Sequence, residues 1–114
     1  MALINFSERF AEMVRVKVKR QTIRPPRKRP VKIGETIHLY AGLWTKRARK
    51  LGTARCCDYQ KITIRHEGIE FVFGFCPKPN ELAHGDGFLN WEDMRNWFKD
   101  KYGLPFHGVL IRWI

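Results

Sequence analysis

The order of the hydrophobic periodicities constrains this chain more than any single motif does. One helical stripe near the N-terminus and another from Trp91 bracket a long middle of alternating patterns, and a last alternating stretch follows. Ser7 is the expected N-cap of the first helix, with Phe10, Met13 and Val14 at the i, i+3, i+4 spacing of one buried face. Arg15-Val16-Lys17-Val18-Lys19 alternates charged and β-branched residues and predicts an extended segment. Ile37, Leu39 and Ala41 alternate with His38 and Tyr40 as in a half-buried strand that Gly42 ends. A β-rich stretch then runs through Ala54, Cys56, Ile62 and Ile64 to a hairpin signal at Glu67-Gly68. Beyond it Ile69, Phe71, Phe73 and Phe75 share a face at period two, as a core ladder or as a base-stacking platform. Val72 and Gly74 opposite them carry no charge, which favours the core. Asn90 caps the second helix, Glu92 and Asp93 suit its N-terminal dipole, Lys99 and Lys101 suit its last turn, and Gly103 and Pro105 stop it. Trp91, Met94, Phe98 and Tyr102 form its packing stripe, and Gly108 to Trp113 makes a closing strand. With no βαβ period and no internal repeat, the pattern predicts one α+β domain over residues 1–114, a small mixed sheet or barrel flanked by two main helices.

Charge points to the class of partner. The net charge is +11, and no acidic residue occurs between Met13 and Gly34. Pro25, Pro26 and Pro30 remove backbone donors and restrict the residues before them, so the basic piece from Arg24 to Pro30 is expected as an extended surface loop. Its cations Arg27, Lys28 and Arg29, with Arg20 upstream and a second cluster at Lys46, Arg47, Arg49 and Lys50, make two arms suited to phosphate. A nucleic acid or nucleotide is therefore the expected partner. No stretch has the roughly 18 apolar residues that span a bilayer, and Met1 to Phe6 lacks a signal peptide's basic start and apolar core, so a cytoplasmic protein without a membrane partner is expected. The odd cysteine count does not make a disulfide framework, and Cys56 and Cys57 are expected on opposite faces of a strand. His38, His66, His84 and His107 are dispersed, with no CxxC or HxxxH pair, so neither a metal nor another cofactor is expected.

The run Lys19-Arg20-Gln21-Thr22-Ile23-Arg24 holds a base, a nucleophile and an anion binder in six residues. On an extended segment Thr22 and Arg24 share a face and Lys19 falls on the other, so a bend is needed to bring Lys19 to Thr22. Given that bend, lysine can act as base toward the threonine hydroxyl if neighbouring cations and burial hold its pKa below the usual value near 10.4. Arg24 then offers its fork of donors to a carbonyl or anionic oxygen. By spacing alone the same residues suit a solvated nucleic-acid-binding face better than catalysis, and Gly85-Asp86-Gly87 equally suits plain turn chemistry.

The Lys19-x-x-Thr22-x-Arg24 run, the basic Pro-rich sequence after it, Gly34 to Tyr40, Ala83-His84-Gly85-Asp86-Gly87-Phe88, and Trp91 to Phe98 together resemble the ASCH domain family over nearly the whole chain. The resemblance implies a PUA-like β-barrel. It also implies an RNA-associated or nucleotide-binding module, one branch of which removes the acyl group from N4-acetylcytidine with a lysine, a threonine three residues on, and a downstream glutamate. Lys19 and Thr22 match the first two positions and Asp86 falls at the third; Lys17 stands where the family often has glycine. On that resemblance Thr22 is the nucleophile, Lys19 its base and Asp86 the group that orients the lysine or a water; by residue type, Arg24 and aromatic residues such as Tyr40 or Trp44 are expected to hold the nucleobase. A non-catalytic RNA-binding or modified-base-binding module is the alternative, and a ribonuclease a third; a monomer is favoured.

Overall fold

The computed structural model describes residues 2–71 and 77–114. The elements run β1 (Ala2–Phe6), α1 (Glu8–Arg15), β2 (Gln21–Arg24), β3 (Thr36–Ala41), β4 (Arg49–Arg65), β5 (Gly68–Phe71), α2 (Pro79–Gly85), α3 (Trp91–Tyr102) and β6 (Phe106–Trp113). One mixed sheet of six strands has the order β1-β3-β4-β6-β2, with β5 paired to β4. Among the described residues only β1 and β3 pair in parallel.

The 17-residue β4 makes this sheet curl. Its first part pairs with β3 and its later part with β6 and β5, and a bulge between Cys56 and Asp58 separates the two. A bulge bends and twists its strand. The two outer strands approach each other as a result: Arg24 at the end of β2 donates from Nη2 to the Asn5 carbonyl of β1 at 2.5 Å. Among the described residues no ladder joins β1 to β2, so the expected barrel is an α+β sheet left open at this seam. Ile37, Ile62, Ile64, Leu110 and Ile111 of the sheet are buried in one core with Phe10 and Val14 of α1, Leu82 of α2, and Met94 and Phe98 of α3. Among the described residues no helix is long and apolar enough to cross a membrane.

Several expectations change. The N-terminal residues form a strand, because Ala2, Ile4 and Phe6 alternate as buried positions ahead of the helix. Ser7 has an N-cap backbone, but its side chain makes no capping bond. Among the described residues three helices flank the sheet rather than two main ones; α2 is short and begins at Pro79, a residue preformed for the first helical turn. The predicted extension from Arg15 to Lys19 is replaced by helix and turn. Arg15 ends α1, Lys17 takes the left-handed conformation at φ 66°, and the amides of Lys17 and Val18 donate to the carbonyls of Val14 and Met13 at 3.1 and 2.9 Å. That is a Schellman closure, and its gain in backbone bonding outweighs burial of Val16 and Val18, which face solvent. Cys56 is buried and Cys57 is the half-buried extra residue of the bulge, both within β4. Ile69 and Phe71 pack partly buried against the core, while Phe73 and Phe75 lie outside the described residues. Asn90 caps α3 as expected, its Oδ1 accepting from the Asp93 amide at 2.9 Å.

Candidate functional site at the sheet seam

Two helix ends aim one buried charge pair at the seam. The turn after α1 swings the chain inward, and the Lys19 amide donates to the Met13 carbonyl at 2.9 Å. Lys19 itself is 2% exposed. Helix α2 ends in the same way: Gly87 takes φ 92°, and the amides of Gly87 and Phe88 donate to the carbonyls of His84 and Ala83 at 3.1 and 2.8 Å. A Cβ on Gly87 would lie 2.9 Å from Cδ1 of Phe10, so glycine also permits the close approach of this turn to α1. Asp86, at the cap between them, is 4% exposed.

Lys19 Nζ sits 3.1 Å from Asp86 Oδ1 and donates to the Asp86 carbonyl at 2.6 Å. Gln21 Nε2 donates to the same Oδ1 at 3.4 Å. The ammonium also lies 5.0 Å from the centre of the Phe10 ring. Burial pulls the Lys19 pKa below the usual lysine range, and the Asp86 charge only partly restores it. Burial raises the Asp86 carboxyl despite the lysine beside it. Both shifts favour the uncharged forms, which brings a neutral lysine amine within chemical reach.

Lys19, Thr22, Arg24 and Asp86 all line one cavity of about 170 Å³ at the seam, so the predicted run from Lys19 to Arg24 and the sequence-distant Asp86 meet there. Such a volume suits a single aromatic ring. Thr22 is 4% exposed, and its Oγ1 accepts from Arg24 Nε at 2.9 Å, which leaves the hydroxyl proton available to a base. The Arg24 guanidinium stacks 5.0 Å over the Phe6 ring. Thr22 and Arg24 share a face, as alternation predicts, and after the turn at Lys17 the Lys19 side chain reaches the same cavity.

Other predicted residues lie elsewhere. Tyr40 is half-buried on β3 opposite Asn5 and Lys50, Trp44 stands in solvent, and neither lines the cavity. The aromatic walls come instead from Phe10, Phe88, Trp97 and Tyr102, with Lys101 over the Trp97 ring at 4.8 Å. Sequence reasoning missed these residues because Phe10 and Tyr102 fit a packing stripe equally well; the signal available was Trp97 and Lys101 four apart on a helix. Of the basic arms, Arg27, Lys28 and Arg29 lie in the loop after β2 and Lys46 and Arg47 in the loop after β3. Arg49 pairs with Glu8 at 2.7 Å, Lys50 Nζ meets His38 Nδ1 at 3.1 Å, and Arg20 donates to the Lys17 carbonyl at 2.9 Å. Among the described residues no three His, Cys, Asp or Glu side chains gather as a metal site would require.

No family model, no curated protein and no solved structure matches this chain.

Proposed function

We propose that the protein is an ASCH-type amidohydrolase with a PUA-like fold, acting on N4-acylated cytidine or a related modified nucleoside at the seam cavity. The observation that carries the reading is the burial of Lys19 against Asp86 in the wall of a ring-sized cavity that also holds Thr22. A surface salt bridge needs no such burial, and a buried ion pair is a poor device for stability because desolvation offsets its Coulomb attraction. A lowered lysine pKa beside a hydroxyl is, by contrast, what activates a nucleophile.

In this reading the cytosine ring enters between Phe10, Phe88, Trp97 and Tyr102. Neutral Lys19 takes the hydroxyl proton as Thr22 Oγ1 attacks the acyl carbonyl. Arg24 Nε, already bonded to Thr22 Oγ1, stabilises that oxygen as it loses its proton, and the negative charge passes to the acyl oxygen as the tetrahedral carbon forms. The C–N bond breaks, the leaving amine takes the proton from Lys19, and the acyl group remains as an ester on Thr22. Water then attacks the ester with Lys19 again as base and Asp86 orienting it, which releases the carboxylic acid and restores the threonine.

The left-handed backbone at Lys17 also supports the resemblance. It is the position where the family often carries glycine, and glycine is the residue that this conformation favours.

Incubating the purified chain with N4-acetylcytidine tests the proposal. The expected products are cytidine and acetate in equal amounts, and a folded protein that yields neither overturns it. The net charge of +11 and the two arms favour a second reading, a non-catalytic RNA-binding module. The third, a ribonuclease, has less support, since none of the four histidines lines the cavity.

A further inference from the structure

The loop between β3 and β4 is built to hold a tryptophan out in water. Thr45 Oγ1 donates to the Gly42 carbonyl at 2.6 Å, the Arg47 amide donates to Thr45 Oγ1 at 3.1 Å, and the Ala48 amide to the Thr45 carbonyl at 3.2 Å. A Cβ on Gly42 would come within 2.9 Å of the Arg47 carbonyl oxygen, so the turn is closed tightly. On this braced loop Trp44 is 86% exposed and adopts φ 70°. The left-handed backbone is unfavourable for any residue with a Cβ, and leaving an indole in water forgoes its burial. Folding gains from neither, and backbone strain that the surrounding bonds enforce is characteristic of ligand-contacting positions.

The loop is also tied to the cavity. Asn5 lines the cavity and accepts Arg24 Nη2 at its carbonyl, while its side-chain Oδ1 accepts the Leu43 amide at 2.8 Å. One residue thus fixes both the seam and the loop that carries Trp44. Lys46 and Arg47 follow directly and are exposed, so the flat apolar surface is bordered by positive charge.

We propose that Trp44 is a stacking platform for a base that flanks the one in the cavity, with Lys46 and Arg47 on the neighbouring phosphates. The substrate class is then a modified base within single-stranded nucleic acid rather than a free nucleoside. The proposal rests on the reading that the cavity receives a nucleobase. A base stacks on an indole face whatever its sequence, and the adjacent phosphates complement the two cations. A lipid surface suits the loop less well, because Leu43 beside Trp44 is half-buried and the next charged residues are cations rather than further apolar anchors.

The experiment measures binding of unmodified single-stranded hexanucleotides, RNA and DNA, by fluorescence polarisation at several salt concentrations, beside turnover of free N4-acetylcytidine. Trp44→Ala is expected to weaken hexanucleotide binding by roughly 5- to 100-fold while Trp44→Phe retains most of it. Lys46→Gln and Arg47→Gln are each expected to flatten the slope of log K against log salt by about 0.7. Turnover of the free nucleoside is expected to be unchanged in Trp44→Ala, since Trp44 lies outside the cavity. Trp44→Gly should melt at a higher temperature than Trp44→Ala yet bind as weakly, because glycine relieves the backbone without restoring the ring. Trp44-dependent hexanucleotide binding by a chain that does not deacylate supports the platform and counts against the amidohydrolase alone. Equal binding by wild type and Trp44→Ala, no binding at low salt, or Trp44-dependent binding to anionic phospholipid vesicles without hexanucleotide binding overturns it.

Discussion

Removing either member of the Lys19–Asp86 pair should destabilise the protein with opposite pH dependence in the two cases. Both side chains are buried, at 2% and 5% exposure, and 3.1 Å apart, so each single substitution strands a charge in the interior. Breaking such a pair costs about 3–5 kcal/mol. The stranded group limits the cost by discharging itself, and each pH unit of that discharge is worth about 1.4 kcal/mol. In Asp86→Asn the group left is Lys19, and neutralising a lysine at pH 7 costs at most about 4.6 kcal/mol, falling to about 1.9 at pH 9. In Lys19→Met the group left is Asp86, and protonating it costs at most about 4.2 kcal/mol at pH 7 and about 1.5 at pH 5. The signs follow from linkage. A buried lysine with a lowered pKa binds fewer protons folded than unfolded, so that variant gains stability as pH rises; a buried aspartate with a raised pKa binds more, so that variant gains as pH falls. Urea unfolding at pH 5, 7 and 9 measures this, with each single variant referred to the Lys19→Met/Asp86→Asn double variant so that other carboxylates cancel. Two single variants that track the double within about 1 kcal/mol at every pH would mean a solvated pair and refute the reasoning.

The same geometry yields further expectations. The rate of deacylation, followed as kcat/KM against pH, should rise through the ionisation of Lys19, and burial places that limb below the usual lysine range; a limb at the ordinary lysine value would show an exposed base. Arg24→Gln should lower kcat by about 10²- to 10³-fold, because it removes the donor to the Thr22 oxygen as that oxygen loses its proton; it also removes the bond to the Asn5 carbonyl at the seam, so folding is checked by circular dichroism beside the rate. Lys17→Gly should stabilise the fold by about 1 kcal/mol in urea unfolding, since Lys17 is exposed and left-handed at φ 66°, whereas Gly87→Ala should destabilise it through both φ 92° and the contact with Phe10.

The fold was legible where periodicity was long and undisturbed. The caps of α3 and the burial of Met94 and Phe98 on its stripe appear in the sequence as they stand in the structure, as do the inward residues of β3 and the closing strand β6, whereas Tyr102 at the end of the stripe is exposed. Short elements were lost to stronger neighbouring signals. Strand β1 has five residues, and the Asn5-Phe6-Ser7-Glu8 helix-start pattern overlies its end; its parallel pairing with β3 is a long-range contact that no local pattern encodes. Helix α2 lies against the turn chemistry of Gly85-Asp86-Gly87, which is in fact the helix's own closure. Alternation from Arg15 to Lys19 suggested a strand because it cannot register that a helix end gains more from closing its carbonyls. In the site, Lys19, Thr22 and Arg24 were readable because they lie within six residues, and Asp86 only through the resemblance. Trp97 and Tyr102 were hidden because the same helical spacing serves a core and a cavity wall. The assignment of Tyr40 and Trp44 to the pocket rested on residue type alone, and the register of β3 and the left-handed turn at Trp44 direct both elsewhere.

The most direct test of the account compares cytidine release from N4-acetylcytidine by the wild-type chain and by Thr22→Ala, with folding of both verified by circular dichroism. The account predicts steady turnover by the wild type and none above background by the variant, because the cavity then lacks the oxygen that attacks the acyl carbon. Equal turnover by a folded Thr22→Ala protein would contradict the assignment of Thr22 as nucleophile and with it the proposed chemistry of the seam.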